Sequence, residues 1–425
     1  MKSSPRLSIL VSAAALAVLA AAQTASATDG RYREYVVGER AGGMGGAAIA
    51  VARDVDAIYY NPAGLSHSSG DSISLSANLY GIESYKTSHG LDMDRSDTSS
   101  SFVSIPGAMG GILRLSDEWV GGVGVFTPKQ EKRHLISASK DKSRLDHYDY
   151  TDQTLWFGPA LAWAPASSRL SVGAGLYGIY RDLSISQSLW QKDGTALDAA
   201  CDLKTLGILA AVGAQYDLGN DWHAGATIQS PNFCIYDEGA LSLGAYMPGE
   251  HTDGLNLGIH SKDVDADNYI PWQLGLGIGR TVEKKWGFAL DATYHPSDSF
   301  DYMTWNFDGN KLNERMRMRQ VLDVSLGGEY FIAERYPVRA GVYTAFSSVR
   351  LPKEGEDSSF TTSDVDMYGI TLSVGRCDDN MSVNIGLDYA FGHGHDLSYS
   401  DDGDLTRNSC DRNVLLATIS TTYYF

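Results

Sequence analysis

The residues MSVNIGLDYAF (381–391) alternate strictly between apolar side chains and small or polar ones. The segments WGFALDATY (286–294) and LDVSLGGEY (322–330) repeat this period of two. Successive side chains of a β-strand point to opposite faces, so each segment predicts a strand with one apolar and one hydrophilic face. Past residue 27 the chain has no apolar run long enough for a membrane helix. If this chain enters a membrane, it must do so as a closed barrel.

The N-terminus predicts export. Lys2 and Arg6 precede an apolar run to about residue 22, and Ala25-Ser26-Ala27 provides the small residues that a signal peptidase requires. We therefore predict a signal peptide over residues 1–27. An exported barrel is expected in the outer membrane of a Gram-negative bacterium.

Fourteen segments have the alternation and length of barrel strands. Their connections alternate between short turns, as at 378–380, and long polar loops, as at 129–151, 230–269 and 348–365. This is the outer-membrane pattern, and an even strand count is typical of it. We predict an all-β fold, a 14-stranded antiparallel transmembrane β-barrel over residues 71–425. The predicted strands are 71–80, 101–115, 118–127, 152–163, 169–182, 204–217, 221–229, 270–281, 285–295, 318–332, 336–347, 366–377, 381–392 and 413–425.

Tryptophan residues mark both ends of these strands. Trp156 and Trp272 fall near long-loop ends, and four others fall at short-turn ends, namely Trp119, Trp163, Trp222 and Trp286. Two girdles of amphipathic rings are typical of membrane barrels. The terminal Phe425 resembles the signal that the barrel-assembly machinery reads. We expect that machinery, outer-membrane lipid and lipopolysaccharide as partners, and a monomeric barrel.

Residues 28–70 precede the first strand and alternate poorly. We predict a short helix at Ala47–Arg53 and a second that starts at Asp54 or Asp56 and ends at about Tyr60, because the residue before a proline avoids the helical region. The many glycines permit close packing and positive φ. We predict that this segment is a hatch that plugs the lumen and is tied to the first strand by Asn61-Pro62.

The segment ERAGGMGGAAIAVARDVDAIYYNPAGL (39–65) closely resembles the N-terminal hatch signature of the FadL-type outer-membrane transporters of long-chain fatty acids and aromatic hydrocarbons. Weaker similarity in segments such as WVGGVGVFTP (119–128) extends the resemblance over nearly the whole mature chain. It implies a hatch-closed 14-stranded barrel, loops that gather a hydrophobic ligand, a lumenal pocket by the hatch and a lateral exit at a kink in the third strand. The hatch residues that it indicates are Gly42, Gly43, Gly45, Gly46, Asn61, Pro62 and Ala63.

Two glycines of the third predicted strand are candidates for the lateral opening. Gly122 and Gly124 face the lumen next to Phe126, if Trp119 lies in the outer girdle. Glycine within a strand often marks a bulge, which would interrupt the ladder and leave a gap between the third and fourth strands. The alternative is that both glycines only make room for the hatch.

Side chains in the predicted loops and lumen complete the candidate site. The strand register predicts that Arg339 faces inward among carboxylates and pairs with them, and the alternative is that Arg339 or Arg181 binds a fatty-acid carboxylate. The full set of predicted lumenal charges is Arg181, Asp291, Asp323, Glu329, Arg339 and Asp388. Six apolar loop residues are candidates for a ligand-collecting groove or for plain packing of a loop hairpin, namely Leu189, Trp190, Leu241, Leu243, Tyr246 and Met247.

The four cysteines permit disulfides in an exported chain. Cys201 and Cys234 fall at the long-loop ends of neighbouring predicted strands, so we predict that they pair. Cys377 is predicted at a periplasmic turn and Cys410 in the last external loop, a barrel height apart.

Other chemistries fit poorly. A formal net charge of −18 argues against a nucleic-acid partner. AGGMGGAA lacks the GxGxxG spacing, so no cofactor is expected. DVDADN (263–268) departs from a calcium loop at its sixth and twelfth positions, and His393 with His395 supplies only two zinc ligands, so no metal site is expected. No nucleophile, base and orienting group are arranged together, so we expect no enzyme.

These features predict passive outer-membrane transport of hydrophobic small molecules, either long-chain fatty acids or hydrocarbons. The alternative is a barrel scaffold for protein secretion or surface attachment. A transporter predicts an apolar pocket near the hatch, whereas a scaffold predicts a sealed lumen and a protein bound to the loops.

Overall fold

The computed structural model of the chain describes residues 30–87, 97–105, 107–139, 141–248, 255–307, 310–351, 363–399 and 405–425. The predicted signal peptide, residues 1–27, lies outside this part. Most described residues belong to antiparallel β-strands. No helix within the described ranges is long and apolar enough to cross a membrane.

The strands are β1 (Ser72–Thr87), β2 (Asp97–Ile105), β3 (Ala108–Arg114), β4 (Trp119–Ala138), β5 (Arg144–Trp163), β6 (Leu170–Gln191), β7 (Ala196–Gly219), β8 (Trp222–Gln229), β9 (Phe233–Met247), β10 (Leu255–Ser261), β11 (Val264–Ala266), β12 (Gln273–Val282), β13 (Trp286–His295), β14 (Asp298–Phe307), β15 (Asn310–Met318), β16 (Val321–Ile332), β17 (Tyr336–Ala345), β18 (Asp366–Cys377), β19 (Met381–Tyr399) and β20 (Leu405–Tyr424).

These strands form a closed barrel of 14 antiparallel strands. Three barrel strands consist of two segments each, namely β2 with β3, β8 with β9, and β10 with β12. The barrel closes where β1 pairs with β20, beginning with Ser72 opposite Tyr424. The predicted 14-stranded barrel is confirmed.

The side-chain alternation has the predicted sense. On β19, Ile385 and Leu387 are more than half exposed on the outside, whereas Asn384 and Asp388 are buried inside. An apolar outer face and a polar inner face are what a lipid-embedded barrel requires.

The predicted long loops are largely paired strands, so their prediction as loops is wrong. In the predicted loop 129–151, β4 and β5 stay paired as far as Ala138 opposite Leu145. β6 and β7 continue outward in the same way, and β9, β10 and β11 occupy much of 230–269. Polar side chains such as Lys132, Ser184 and Asp202 alternate with the buried ones on these arms, so the hydropathy resembles that of a loop although the backbone ladder continues. Most of 348–365 lies outside the described residues.

A second sheet, β11–β14–β15, lies at the same end of the barrel as these arms. Its residues join those of the arms in one buried apolar cluster, which we call the arm cluster. The arm cluster includes Tyr148, Tyr150, Leu241, Leu243, Tyr302, Met303, Trp305, Met316 and Met318.

Residues 30–70 precede β1 and are mostly buried; we call them the hatch. The hatch contains helices α1 (Arg40–Gly43) and α2 (Asp56–Tyr60) and a 3₁₀-helix (Pro62–His67). The predicted second helix is therefore confirmed, but the predicted helix at Ala47–Arg53 is wrong. One turn forms there, with the N–H of Ala52 bonded to the carbonyl of Ala48, but the carbonyl of Ile49, which a continuing helix would pair with the N–H of Arg53, accepts a hydrogen bond from Asn61 instead.

The tryptophan girdle at the short-turn end is clearest at Trp119 and Trp163, which are cross-strand partners with ring centroids 6.2 Å apart. Trp272 is exposed near the arms. Trp156 is instead 5% exposed and packs inward against Tyr59 of the hatch. The prediction that Trp156 belongs to the girdle at the long-loop end is therefore wrong.

The predicted Cys201–Cys234 disulfide is also wrong. Cys201 lies opposite Leu241, whereas Cys234 lies opposite Gly207, six residues further along β7. That offset is about 20 Å, and a disulfide requires Cα atoms within about 7 Å. Continuous pairing of β7 with β9 holds the two thiols apart, where a loop would have allowed them to meet. Cys377 and Cys410 lie opposite β19 residues twelve positions apart, or about 40 Å, so their predicted separation is confirmed.

No two of the four described cysteines form a disulfide, so all four are expected to be reduced in the folded protein. Alkylation of the unfolded chain without reductant should label four cysteines, as counted by intact mass. Recovery of a disulfide-linked peptide that contains Cys201 and Cys234 would contradict the pairing of β7 with β9.

Candidate functional site: the hatch and the lumenal cavities

Asp56 organises the hatch internally. Its carboxylate accepts hydrogen bonds from the backbone N–H groups of Glu39, Arg40 and Ala41 at 2.9 to 3.1 Å. These groups start α1, so Asp56 satisfies donors that the helix leaves unpaired. Burial raises the pKa of the Asp56 carboxyl above its ordinary value. Gly38 has φ +98° and leaves no space for a Cβ beside this carboxylate, so a side chain there would displace it.

Asn61 joins the hatch to the wall. Its amide nitrogen donates to the carbonyl of Ile49 at 2.7 Å and to that of Ala214 on β7 at 3.1 Å. Its Oδ1 accepts from the N–H of Ala63 at 3.2 Å and so caps the 3₁₀-helix, in which Pro62 is the first residue. The Asn61-Pro62 pair thus contacts β7. We had instead predicted that it ties the hatch to the first strand.

Glycines on both sides allow the hatch backbone to touch the wall. In the hatch, Gly45 (φ +65°) and Gly46 (φ +80°) have positive φ, and a Cβ at Gly43 would collide with Ser373 of β18. Gly42 has more room, with its nearest neighbour 3.9 Å from such a Cβ. On the wall, nine glycines leave less than 3.0 Å between a Cβ and the hatch, namely Gly110, Gly173, Gly213, Gly225, Gly275, Gly277, Gly279, Gly327 and Gly341.

Glu329 of β16 bridges the hatch and the wall. It pairs with Arg40 of the hatch at 2.6 Å and with Arg339 of β17 at 3.2 Å. Arg339 also donates to Asn384 at 2.6 Å. All of these charges are buried, and a buried charge without its partner is strongly destabilising. The network therefore favours the docked hatch.

The remaining predicted lumenal carboxylates divide into two kinds. Asp291 accepts hydrogen bonds from the backbone N–H groups of Ala48 and Ile49 at 2.6 and 2.8 Å, so it holds the hatch directly. Asp323 accepts hydrogen bonds from wall residues only, and Asp388 accepts from the hydroxyl of Tyr343 in the wall and from the backbone N–H of Val36 in the hatch.

Arg181 of β6 is paired within the wall. Its guanidinium binds both carboxylate oxygens of Asp152 at 2.8 Å, and Lys129 binds the same carboxylate at 2.7 Å. Two cations thus share the carboxylate of Asp152. Arg181 and Arg339 are thus both ion-paired, and a fatty-acid carboxylate would have to compete with a carboxylate of the protein for either.

Two cavities lie between the hatch and the arms. The arm-side cavity is lined by residues such as Thr154, Tyr302 and Met318, together with Lys129 and Arg181. The hatch-side cavity is lined by aromatic residues such as Tyr59 and by polar ones such as Asp291 and His295. Three residues line both cavities, namely Tyr32, Trp156 and Ile270. The cavities are therefore adjacent, and their shared lining is aromatic and aliphatic.

The six predicted groove residues lie on strands and point in both directions. Leu189, Leu241 and Leu243 are buried, and the latter two belong to the arm cluster. Trp190 and Tyr246 are exposed on the outer face, and Met247 is half-buried. The arm cluster adjoins the arm-side cavity, because Tyr302, Met316 and Met318 belong to both.

The predicted ladder interruption at Gly122 and Gly124 is wrong. Both glycines pair in register with β3 on one side and β5 on the other. A Cβ at Gly122 would lie 3.0 Å from Ile58 of α2, so this glycine makes room for the hatch.

The irregularity of β4 lies a few residues further along. The β4–β5 register shifts between Phe126 and Lys129, a stretch that contains Pro128, which has no N–H to donate. Beyond this point, no ladder pairs join β2 to β4 among the described residues. Side-chain contacts link them instead, such as Ser99 Oγ to the carbonyl of His134 at 2.7 Å.

The sequence analysis missed the residues that line both cavities. For Trp156 a usable signal exists, because the alternation in TLWFGPALAW (154–163) places it on the same face as the small residues Ala160 and Ala162. That face is the lumen. No local pattern marks Tyr32, and Ile270 is only the first residue of the predicted strand 270–281.

Comparison with known proteins agrees with this architecture. The family profile described as outer membrane protein transport protein (OMPP1/FadL/TodX) matches residues 18–425. A FadL homologue from Pseudomonas aeruginosa superposes with a TM-score of 0.69 at 14% identity, covering 93% of this chain and 100% of its own. The toluene transporter TodX from Pseudomonas putida superposes with a TM-score of 0.68 at 17% identity, covering 94% and 100%. The toluene transporter TbuX from Ralstonia pickettii gives 0.62 at 15% identity, covering 92% and 98%.

A comparison with curated protein sequences found no match. The family profile covers nearly the whole chain, and the solved structures share its fold. This chain therefore belongs to the OMPP1/FadL/TodX family of outer-membrane transport proteins.

Proposed function

We propose that this protein carries small hydrophobic molecules passively across the outer membrane by way of its two cavities. The observation that carries the proposal is their adjacency, since Tyr32, Trp156 and Ile270 line both. The three shared residues are aromatic or aliphatic, which favours small apolar ligands where the two cavities meet. Relatives of the same fold described as toluene transporters support the same ligand class.

The proposed route starts at the arm cluster and continues into the arm-side cavity, because Tyr302, Met316 and Met318 belong to both. An apolar ligand leaves water once and then moves between apolar surroundings, so its movement follows its concentration gradient. The N-terminal sequence contains no energy-coupling motif, which is consistent with passive movement.

The proposed exit is the side of the barrel between β2 and β4, beyond the irregularity at Pro128. The N–H groups of Glu34 and Tyr35 in the hatch both approach the carbonyl of Pro128, at 2.9 and 3.4 Å. This hatch segment thus lies next to the break in the ladder. In the proposed mechanism, its displacement opens a lateral path for the ligand.

Lys129, Arg181 and the carboxylate of Asp152 that they share form an ionic group at the arm-side cavity. This group should distinguish acidic from neutral substrates. We expect Asp152→Asn to raise the affinity for a long-chain fatty acid by about tenfold, because a ligand carboxylate can then pair with Arg181 and Lys129. The affinity for toluene should stay unchanged. Binding of both ligands to purified protein measures this difference, and an equal change for both ligands would contradict the assignment.

The proposed function is tested by mass spectrometry of lipid extracted from gently purified protein. A transporter with these cavities should retain a fatty acid or hydrocarbon when the cells are grown with such compounds. Uptake of the same compounds should rise when the chain is expressed in cells that lack their own transporters. Protein without any hydrophobic ligand, together with unchanged uptake, would instead favour the scaffold role.

A further inference from the structure

A metal-ligating cluster lies on the outer face of the β4–β5 arm. Among the residues that the structure describes, His134, His147 and Asp149 form the one group of three potential ligands whose donor atoms all lie within 4.8 Å of one another. His134 Nδ1 lies 2.5 Å from Asp149 Oδ1, and His147 Nε2 lies 3.0 Å from Asp149 Oδ2. We propose that these three side chains bind a divalent transition-metal ion, with Zn²⁺ as the representative case.

The strand register makes this cluster rigid. His134 on β4 is the direct cross-strand partner of Asp149 on β5. His147 lies two residues before Asp149 on the same strand, so all three side chains share one face. The two imidazole centroids are 5.2 Å apart. The paired backbone therefore brings the ligands together before any metal binds.

The donor set selects the class of metal. Two imidazoles and one carboxylate suit Zn²⁺ and related ions, whereas Ca²⁺ and Mg²⁺ prefer oxygen ligands alone. Tetrahedral Zn²⁺ with ligand bonds of about 2.0 to 2.1 Å places ligand atoms about 3.3 Å apart. The two nitrogen–oxygen separations, 2.5 and 3.0 Å, need to widen by less than about 1 Å to reach that arrangement. Three protein ligands leave one position for water.

The site is accessible from the cell exterior. The three side chains are between one third and one half exposed. His134 lies 15 residues beyond Trp119, which belongs to the girdle at the short-turn end. Fifteen strand residues span about 50 Å along the strand, and at a tilt of about 45° this corresponds to about 35 Å along the barrel axis. The apolar band of such a barrel is about 25 Å tall. The cluster thus lies beyond the hydrocarbon, where metal ions can reach it.

The opposite face of the same arm belongs to the arm cluster, through Tyr148 and Tyr150. A metal bound by β4 and β5 together would brace the hairpin behind these two aromatic side chains. The site is separate from the cavities, so its test does not depend on the transported ligand.

The experiment is a titration of Zn²⁺ into purified full-length protein that carries no histidine tag and has been treated with chelator. We expect one Zn²⁺ per chain with a dissociation constant in the micromolar range. His134→Asn, His147→Asn and Asp149→Asn should each weaken binding by tenfold or more, as is typical of the loss of a metal-site group. Heat-modifiable migration in gels checks that each variant is folded.

A double variant, His393→Asn with His395→Asn, is the matched control. These two exposed histidines lie on one strand and pair with separate carboxylates, those of Asp411 and Asp364. Their loss should leave the affinity unchanged. Visible absorption of the Co²⁺ form should show a site of low coordination number that His147→Asn abolishes. The proposal is overturned by the absence of stoichiometric binding in the wild type, or by equal weakening in the control.

Discussion

Replacing Gly225 of β8 with leucine is expected to expel the hatch and turn the barrel into a leaky pore. A Cβ at Gly225 would lie within 3.0 Å of the backbone of Ile49 and Ala50. Backbone atoms cannot rotate away as a side-chain end can, so the strain falls on the docked state alone. Overpacking of about 3 kcal/mol shifts the balance between docked and undocked hatch by on the order of 100-fold. Conductance in planar bilayers should rise accordingly.

The matched control is Gly258→Leu on β10, because a Cβ at Gly258 meets nothing within 4 Å. It should leave the conductance low. Gly341→Leu provides a second test, since a Cβ there would collide with Met44 and Gly45 of the hatch. Wild-type conductance in folded forms of both Gly225→Leu and Gly341→Leu would show that close glycine contacts do not hold the plug.

Thr154→Trp is expected to abolish most hydrophobic uptake while the barrel still assembles. Thr154 is a buried residue of β5 that faces the arm-side cavity, so the larger ring would occupy the proposed route. A steric overlap between the ring and the ligand that weakens binding by about 1.4 kcal/mol already lowers the affinity about tenfold. A ring that fills the cavity should weaken binding by more than this. Uptake of labelled fatty acid or toluene by cells that depend on this protein measures the effect.

Leu161→Trp is the control for this variant. Leu161 lies on the same strand but is exposed on the outer face, so an indole there meets lipid and leaves the cavity unchanged. Uptake should then remain near that of the wild type. Normal uptake by a folded Thr154→Trp protein would mean that the ligand does not pass through the arm-side cavity.

Much of the barrel could be predicted from the sequence, because side-chain alternation is a local property. The segment at 381–391 shows its strand and its two faces without reference to any other part of the chain. The same local logic failed for the arms, such as 129–151. Outside lipid, the outer face is polar, and hydropathy no longer distinguishes a paired strand from a loop.

The hatch shows the same limit at closer range. Asp56–Tyr60 could be predicted as a helix because the following proline ends it locally. Ala47–Arg53 has suitable helix formers, yet the carbonyl of Ile49 accepts hydrogen bonds from Asn61 and from Gln215 of β7, 166 residues away in the sequence. Side chains outside the segment thus occupy a carbonyl that a continuing helix would need.

The sequence by itself thus determined the class of fold, the number of barrel strands and the direction in which most side chains point. Only the tertiary structure decided which inward residues meet. Arg40 pairs with Glu329 across 289 positions of sequence, and Trp156 lines both cavities together with Tyr32 and Ile270. The physical reason is that these residues are far apart in the sequence, and only the closed barrel, in which β1 pairs with β20, places its wall around the hatch.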